Sequence, residues 1–239
     1  SVAYMKLKQS YILPIRTYRE AESDSFAPIL SSFSKIAAEG EGAALQIVAM
    51  PADEKKKKSV ASAIINLRKG DKLSELLDER WITAKGAAKI GKQIIMPGSS
   101  DEKKDEPKTA PIVDDDAVKA LQQKVAKPLF SVNVRIVTSA PTKDRAEDML
   151  LSLASSFSQF SAPQRNTIEY IKPKESKHLL YEYAFREFNQ EQSMLLNTEE
   201  IASIFHLQTA TSAIPYVKWL CCYTNLLPIH GMRIPRSFW

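Results

Sequence analysis

The chain has 239 residues, 44% of them hydrophobic and 26% charged, which is enough apolar material for a real core and excludes disorder of the whole chain. Thirty-three Lys+Arg against 28 Asp+Glu give a net charge of +5, too mild to mark a nucleic-acid binder by itself. Seven glycines argue against a glycine-rich nucleotide fold, and no apolar run is long enough to span a bilayer.

In chain order, residues 6–18 (KLKQSYILPIRTY) read as a strand broken by Pro14, which predicts an edge position. Phe26, Ile29, Leu30, Phe33 and Ile36 form one helical stripe behind a cap at Asp24 or Ser25, ending at Gly40-Glu41-Gly42. Residues 44–50, apolar and flanked by Gly and Pro, predict a strand. After Pro51 a charged helix start, DEKKKKS, runs into Val60, Ala61, Ile64, Ile65 and Leu67, and a second helical stretch follows Gly70-Asp71. Residues 98–116 have the polar, Pro-containing composition of a linker.

Beyond it, a helix over 115–127 leads to Phe130, Val132, Val134 and Ile136, which alternate with Ser131, Asn133 and Arg135 in the period of a strand with one drier face. Pro141-Thr142 opens a helix with Ala146, Met149, Leu150, Leu153, Phe157 and Phe160 on one stripe. Residues 167–171 read as a returning strand and 177–188 as a helix, and Asn197-Thr198-Glu199-Glu200 caps a short helix to Phe205. The Pro51 and Pro141 junctions echo one another. The expectation is α+β: two β–α–β (ferredoxin-like) units, residues 1–97 and 117–210, with antiparallel sheets and helices on one face, then an irregular tail over 211–239.

Candidate chemistry is sparse. Residues 86–93 (GAAKIGKQ) match a phosphate loop until Gln93 stands where a Mg²⁺-binding Ser or Thr belongs. His178, His206 and His230 sit apart from one another, and Cys221-Cys222 with His230 is no metal spacing. His206 reads as a packed helix-end residue. Adjacent cysteines are poorly placed to bridge each other, and with no other thiol they fit a reducing compartment. Carboxylate pairs such as Glu199-Glu200 sit at helix starts, where the macrodipole accounts for them. The expectation is no catalytic residue, no cofactor and no metal. Lys55, Lys56, Lys57, Lys58 and Arg135 are the candidates for phosphate contact with a nucleic acid.

Several segments in order carry a family resemblance: TYRE (17–20), DSFAPILSSFSKI (24–36), EGEGAALQIVAMPA (39–52), the long block 127–160, and LLNTEEIASIFHL (195–207). Together they resemble the region that precedes the ATPase core in conjugative DNA-transfer (coupling-protein-like) ATPases of bacterial type IV secretion. The positions concerned are Ala140, Pro141, Thr142, Phe157, Gln159, Phe160, Leu196, Asn197, Thr198, Glu199, Glu200, Ala202, Phe205 and His206, with Trp219 as the family's Trp. The tail after Trp219 departs from the family pattern, as a truncation or frameshift would make it. The resemblance implies a non-catalytic scaffold on the cytoplasmic side of the inner membrane. Its partners would be sister subunits or other secretion proteins, with DNA contact as the alternative. The exposed surfaces expected for this are the Phe157/Phe160 stripe and the strand edge near Pro14.

Overall fold

The computed structural model describes residues 1–21, 24–36, 39–68, 115–162 and 165–206. Its strands are β1 (Val2–Leu7), β2 (Gly42–Pro51), β3 (Leu129–Ser139), β4 (Ile168–Ile171) and β5 (Met194–Asn197). Its α-helices are α1 (Ala27–Ser34), α2 (Glu54–Arg68), α3 (Asp115–Val125), α4 (Lys143–Ser155), α5 (Ser176–Phe185) and α6 (Thr198–Ile204).

The long strand β3 organises the sheet. Its alternation of Val132, Val134 and Ile136 with Ser131, Asn133 and Arg135 gives it two distinct faces. Along one edge it pairs with β2 over ten residues, from Gly42 opposite Ser139 to Pro51 opposite Phe130. The other edge is shared: β5 takes Leu129 to Val132 and β1 takes Val134 to Val137. β4 closes the far side against β1. The order β2-β3-β1-β4, antiparallel throughout, is that of the split β–α–β (ferredoxin-like) fold. The units β1-α1-β2 and β3-α4-β4 therefore interleave in one five-stranded sheet. The two halves of the chain do not hold separate sheets, because β1 and β2 find their hydrogen-bond partners in β3.

On the core face, Met5, Ile29, Leu30, Val134, Ile136, Leu150, Leu153 and Leu196 pack together under α1 and α4. Thr142 caps α4 by accepting the Arg145 amide at 3.3 Å. Phe157 and Phe160, on the 3-10 turn that follows (Ser156–Phe160), are buried at this core's centre, which corrects the expectation that they are an exposed surface. On the opposite face α2 and α3 build a second cluster with Leu129 and Leu195, through Val60, Leu67 and Leu121.

The first strand also differs from expectation. β1 ends at Leu7, and residues 8–17 form a loop, since Pro14 has no amide to give a ladder. Ile12 and Leu13 enter the second cluster while Ile15 enters the first, so this loop ties the two cores together. The Pro51–Pro141 echo joins strands that are not equivalent, for β2 is an edge strand and β3 is central. β5, four residues long, is too short to announce itself by alternation.

Candidate functional site

A buried loop must satisfy its backbone polar groups, and in residues 8–17 side chains do so. Asn166 accepts the Gln9 amide (2.9 Å) and donates to the Gln9 and Ser10 carbonyls (3.2 and 2.8 Å). Glu200 Oε1 accepts the Ile15 amide at 2.8 Å. Lys124 Nζ donates to the Leu13 carbonyl at 3.1 Å and lies 3.5 Å from Glu200 Oε1. Both side chains of this ion pair are without exposed surface.

Glu200 is also part of the α6 start. Asn197 Oδ1 accepts the Glu200 amide (2.8 Å) and Glu200 Oε2 accepts the Asn197 amide (2.7 Å), a reciprocal capping box. Its neighbour Glu199 gathers Arg19 Nε (3.1 Å), Lys127 Nζ (2.8 Å) and Thr17 Oγ1 (3.1 Å). Arg165 bonds Glu20 at 2.7 Å close by. These groups line a cavity of about 300 Å³, with Lys124 and Glu200 at its back.

Burial pushes the Lys124 ammonium below its ordinary value, and Glu200 restores part of the difference. Burial alone raises the Glu199 carboxyl, but hydrogen bonds from Lys127 and Thr17, with the charges of Lys127 and Arg19, bring it below the ordinary carboxylate range. Each of these carboxylates is engaged by a cation of the same chain. What the arrangement does chemically is join the 8–17 loop, the end of α3 and the start of α6.

A second polar cluster lies farther along β3, on the face that Leu129 shares with Arg135. Arg135, wholly buried, donates to the carbonyls of Glu187 (2.7 Å) and Glu182 (3.2 Å), to Gln46 Oε1 (3.2 Å) and to the Glu182 carboxylate (3.4 Å). Asn189 and Gln192 also donate to that carboxylate, at 2.6 and 3.0 Å. Arg186 ends α5 in the left-handed region (φ 55°), which turns the chain back over Arg135.

The nucleic-acid candidates are thus not brought together. Arg135 is corrected to a buried framework residue, because its carbonyl and carboxylate acceptors replace the solvent a phosphate contact would need. Lys55 and Lys58 are exposed on α2. Lys57 pairs with Glu54 at 2.7 Å, and Lys56 reaches Ser131 and Ser193 at 3.4 Å each. His178 lies 3.2 Å from Glu182, while His206 sits at the end of α6 between Asp24 Oδ1 (2.9 Å) and the Ala202 carbonyl (3.0 Å). Residues 86–93, Cys221, Cys222, His230, Trp219 and the linker up to residue 114 lie outside the described residues. Among the described residues no group of three or more His, Cys, Asp or Glu side chains is placed to hold a metal. Among the same residues no helix is long and apolar enough to cross a membrane.

Sequence reasoning passed over Lys124, Asn166 and Glu182. Lys124 left a signal: it follows Leu121 by three residues and Ala117 by seven, on the apolar stripe of α3. Asn166 left none. Compared with known proteins, residues 1–219 match one family, described as a domain of unknown function (DUF8128). No curated protein and no solved structure matches the chain.

Proposed function

Because the chain belongs to the DUF8128 family, a family without an assigned role, we propose its function from its own residues: a non-catalytic assembly domain, the scaffold that precedes the ATPase core of a type IV secretion DNA-transfer ATPase. The observation that carries this reading is where the residues of the family resemblance fall. Thr142 caps α4, Phe157 and Phe160 fill the core, and Asn197 and Glu200 form the capping box that anchors the 8–17 loop. They are framework residues, and a resemblance concentrated on framework fits a part that positions a motor rather than one that turns over substrate. On this reading the domain works at the cytoplasmic face of the inner membrane, against sister subunits or other secretion proteins.

DNA contact is the second reading, favoured by the exposed Lys55 and Lys58 but deprived of Arg135. Binding through two such lysines should fade steeply with salt. Proximity labelling from the chain in its own cells tests the main reading. Tagging of secretion-channel or motor proteins is expected. Labelling confined to proteins unconnected with DNA transfer overturns it, and saturable binding of a fluorescent ATP analogue overturns its non-catalytic part.

A further inference from the structure

The cavity between the 8–17 loop, the end of α3 and the start of α6 holds more cationic donors than the framework uses. Four cations line it, Arg19, Lys124, Lys127 and Arg165, against three carboxylates, Glu20, Glu199 and Glu200. Lys124 and Glu200 face each other without exposed surface, so the surplus charge lies among the outer groups. There Glu199 is turned inward and the cations outward. Glu199 is 13% exposed and both of its oxygens are taken, Oε1 by Arg19 and Thr17 and Oε2 by Lys127. Arg19 is 62% exposed and spends only Nε on that carboxylate; among the described residues its two Nη groups meet no acceptor. Lys127, 36% exposed, gives one of the three N–H groups of its ammonium. Arg165 gives Nη2 to Glu20 at 2.7 Å, while its Nη1 lies 3.5 Å from the Ile15 carbonyl, too long for a full hydrogen bond.

We infer that this cavity binds a small oxyanion, a phosphate or carboxylate group, through Arg19, Lys127 and Arg165. Its volume of about 300 Å³ suits a compact ligand, at the small end of the range that ligand pockets occupy. A guanidinium offers two parallel N–H donors to the oxygens of one carboxylate or phosphoryl group, and the Lys127 ammonium adds a point charge. Glu199 behind Arg19 and Lys127, and Glu20 behind Arg165, hold these cations in place before a ligand arrives, which lowers the cost of ordering them. The three come from separate segments: the 3-10 turn Tyr18–Glu20, the stretch after α3 and the stretch before β4. An anion held among them therefore ties those segments together. The inference does not rest on the assembly reading, since binding requires neither a secretion partner nor a second copy of the chain.

Amide chemical shifts of the full chain test this, titrated with inorganic phosphate in one arm and succinate in the other, with sodium chloride holding the ionic strength constant. The expected result is a set of saturable shifts centred on Thr17, Lys127, Glu199 and Arg165 with at least one of the two anions. The arm that saturates at the lower concentration tells a phosphoryl ligand from a carboxylate. Arg19→Gln and Lys127→Gln each remove charge-assisted hydrogen bonds and should weaken binding about tenfold, while Lys55→Gln, on the exposed side of α2, leaves it unchanged. The same spectra check that each variant folds. Glu199→Gln takes a competing negative charge out of the cavity and should tighten binding severalfold. The absence of saturable shifts in both arms overturns the inference. So does equal weakening by Lys55→Gln and Arg19→Gln, because the attraction is then spread over the surface. Unchanged binding in Arg19→Gln and Lys127→Gln overturns it as well, as does a Glu199→Gln variant that binds no tighter than the parent.

Discussion

Lys124 and Arg135 are both cations with no exposed side-chain surface, and the two burials are resolved differently. Lys124 reaches one carboxylate and one carbonyl, Glu200 and Leu13. Arg135 spreads its guanidinium over two carbonyls, the amide oxygens of Gln46 and Asn133 and a carboxylate, and that carboxylate keeps Asn189 and Gln192 as further donors. The planar fork of Arg suits a distributed set of acceptors, while a lysine ammonium concentrates its demand. Glu200 is further burdened, for it also accepts the amides of Ile15 and Asn197. Around Arg135 the load is shared; around Lys124 it rests on one residue.

The largest effect that follows is for Glu200→Ala. It strands a buried ammonium and leaves two backbone amides without acceptors, so unfolding in denaturant should show a loss of about 3–5 kcal/mol. A loss no greater than that of an exposed substitution breaks the idea that Glu200 holds the junction. Arg135→Met comes next, at about 2–3 kcal/mol, because methionine refills part of the buried volume and Glu182 retains its amide donors. If Arg135→Met costs as much as Glu200→Ala, the contrast between shared and concentrated load fails.

The same contrast explains what the sequence could convey. Strand β3, the stripe of α4 and the Asn197–Glu200 cap are local patterns, written at periods of two and 3.6 or at a fixed spacing, and all of them form. The alternation of β3 also marked Arg135 as lying on its more polar face. What it could not convey is that α5 and the turn after Arg186 cover that face, since burial there comes from residues some fifty positions away. The loop over 8–17 is harder still. Its apolar residues resemble a strand, and the side chains that make it a loop, Asn166, Lys124 and Glu200, lie more than a hundred residues along. The interleaving of the two β–α–β units is a pairing choice of the same long-range kind.

The smallest predicted effect sharpens the comparison by pH. Burial lowers the proton affinity of Lys124 in the folded chain, so over the alkaline range between that lowered value and the ordinary lysine value the unfolded chain binds more protons. Stability owed to this site must therefore rise with pH in that window. Lys124→Met removes the titration, and the stability of the parent relative to this variant should climb as pH is raised towards the ordinary lysine value, read as urea midpoints across a pH series. Glu199 has the same sign in the acid range: with its carboxyl held down by Lys127 and Thr17, its contribution is present at neutral pH and is lost as pH falls below the ordinary carboxylate range. A flat alkaline difference would mean that Lys124 holds its proton equally in both states. Burial of that ammonium would then carry no proton-binding cost, and the concentrated load on Glu200 would no longer set the two sites apart.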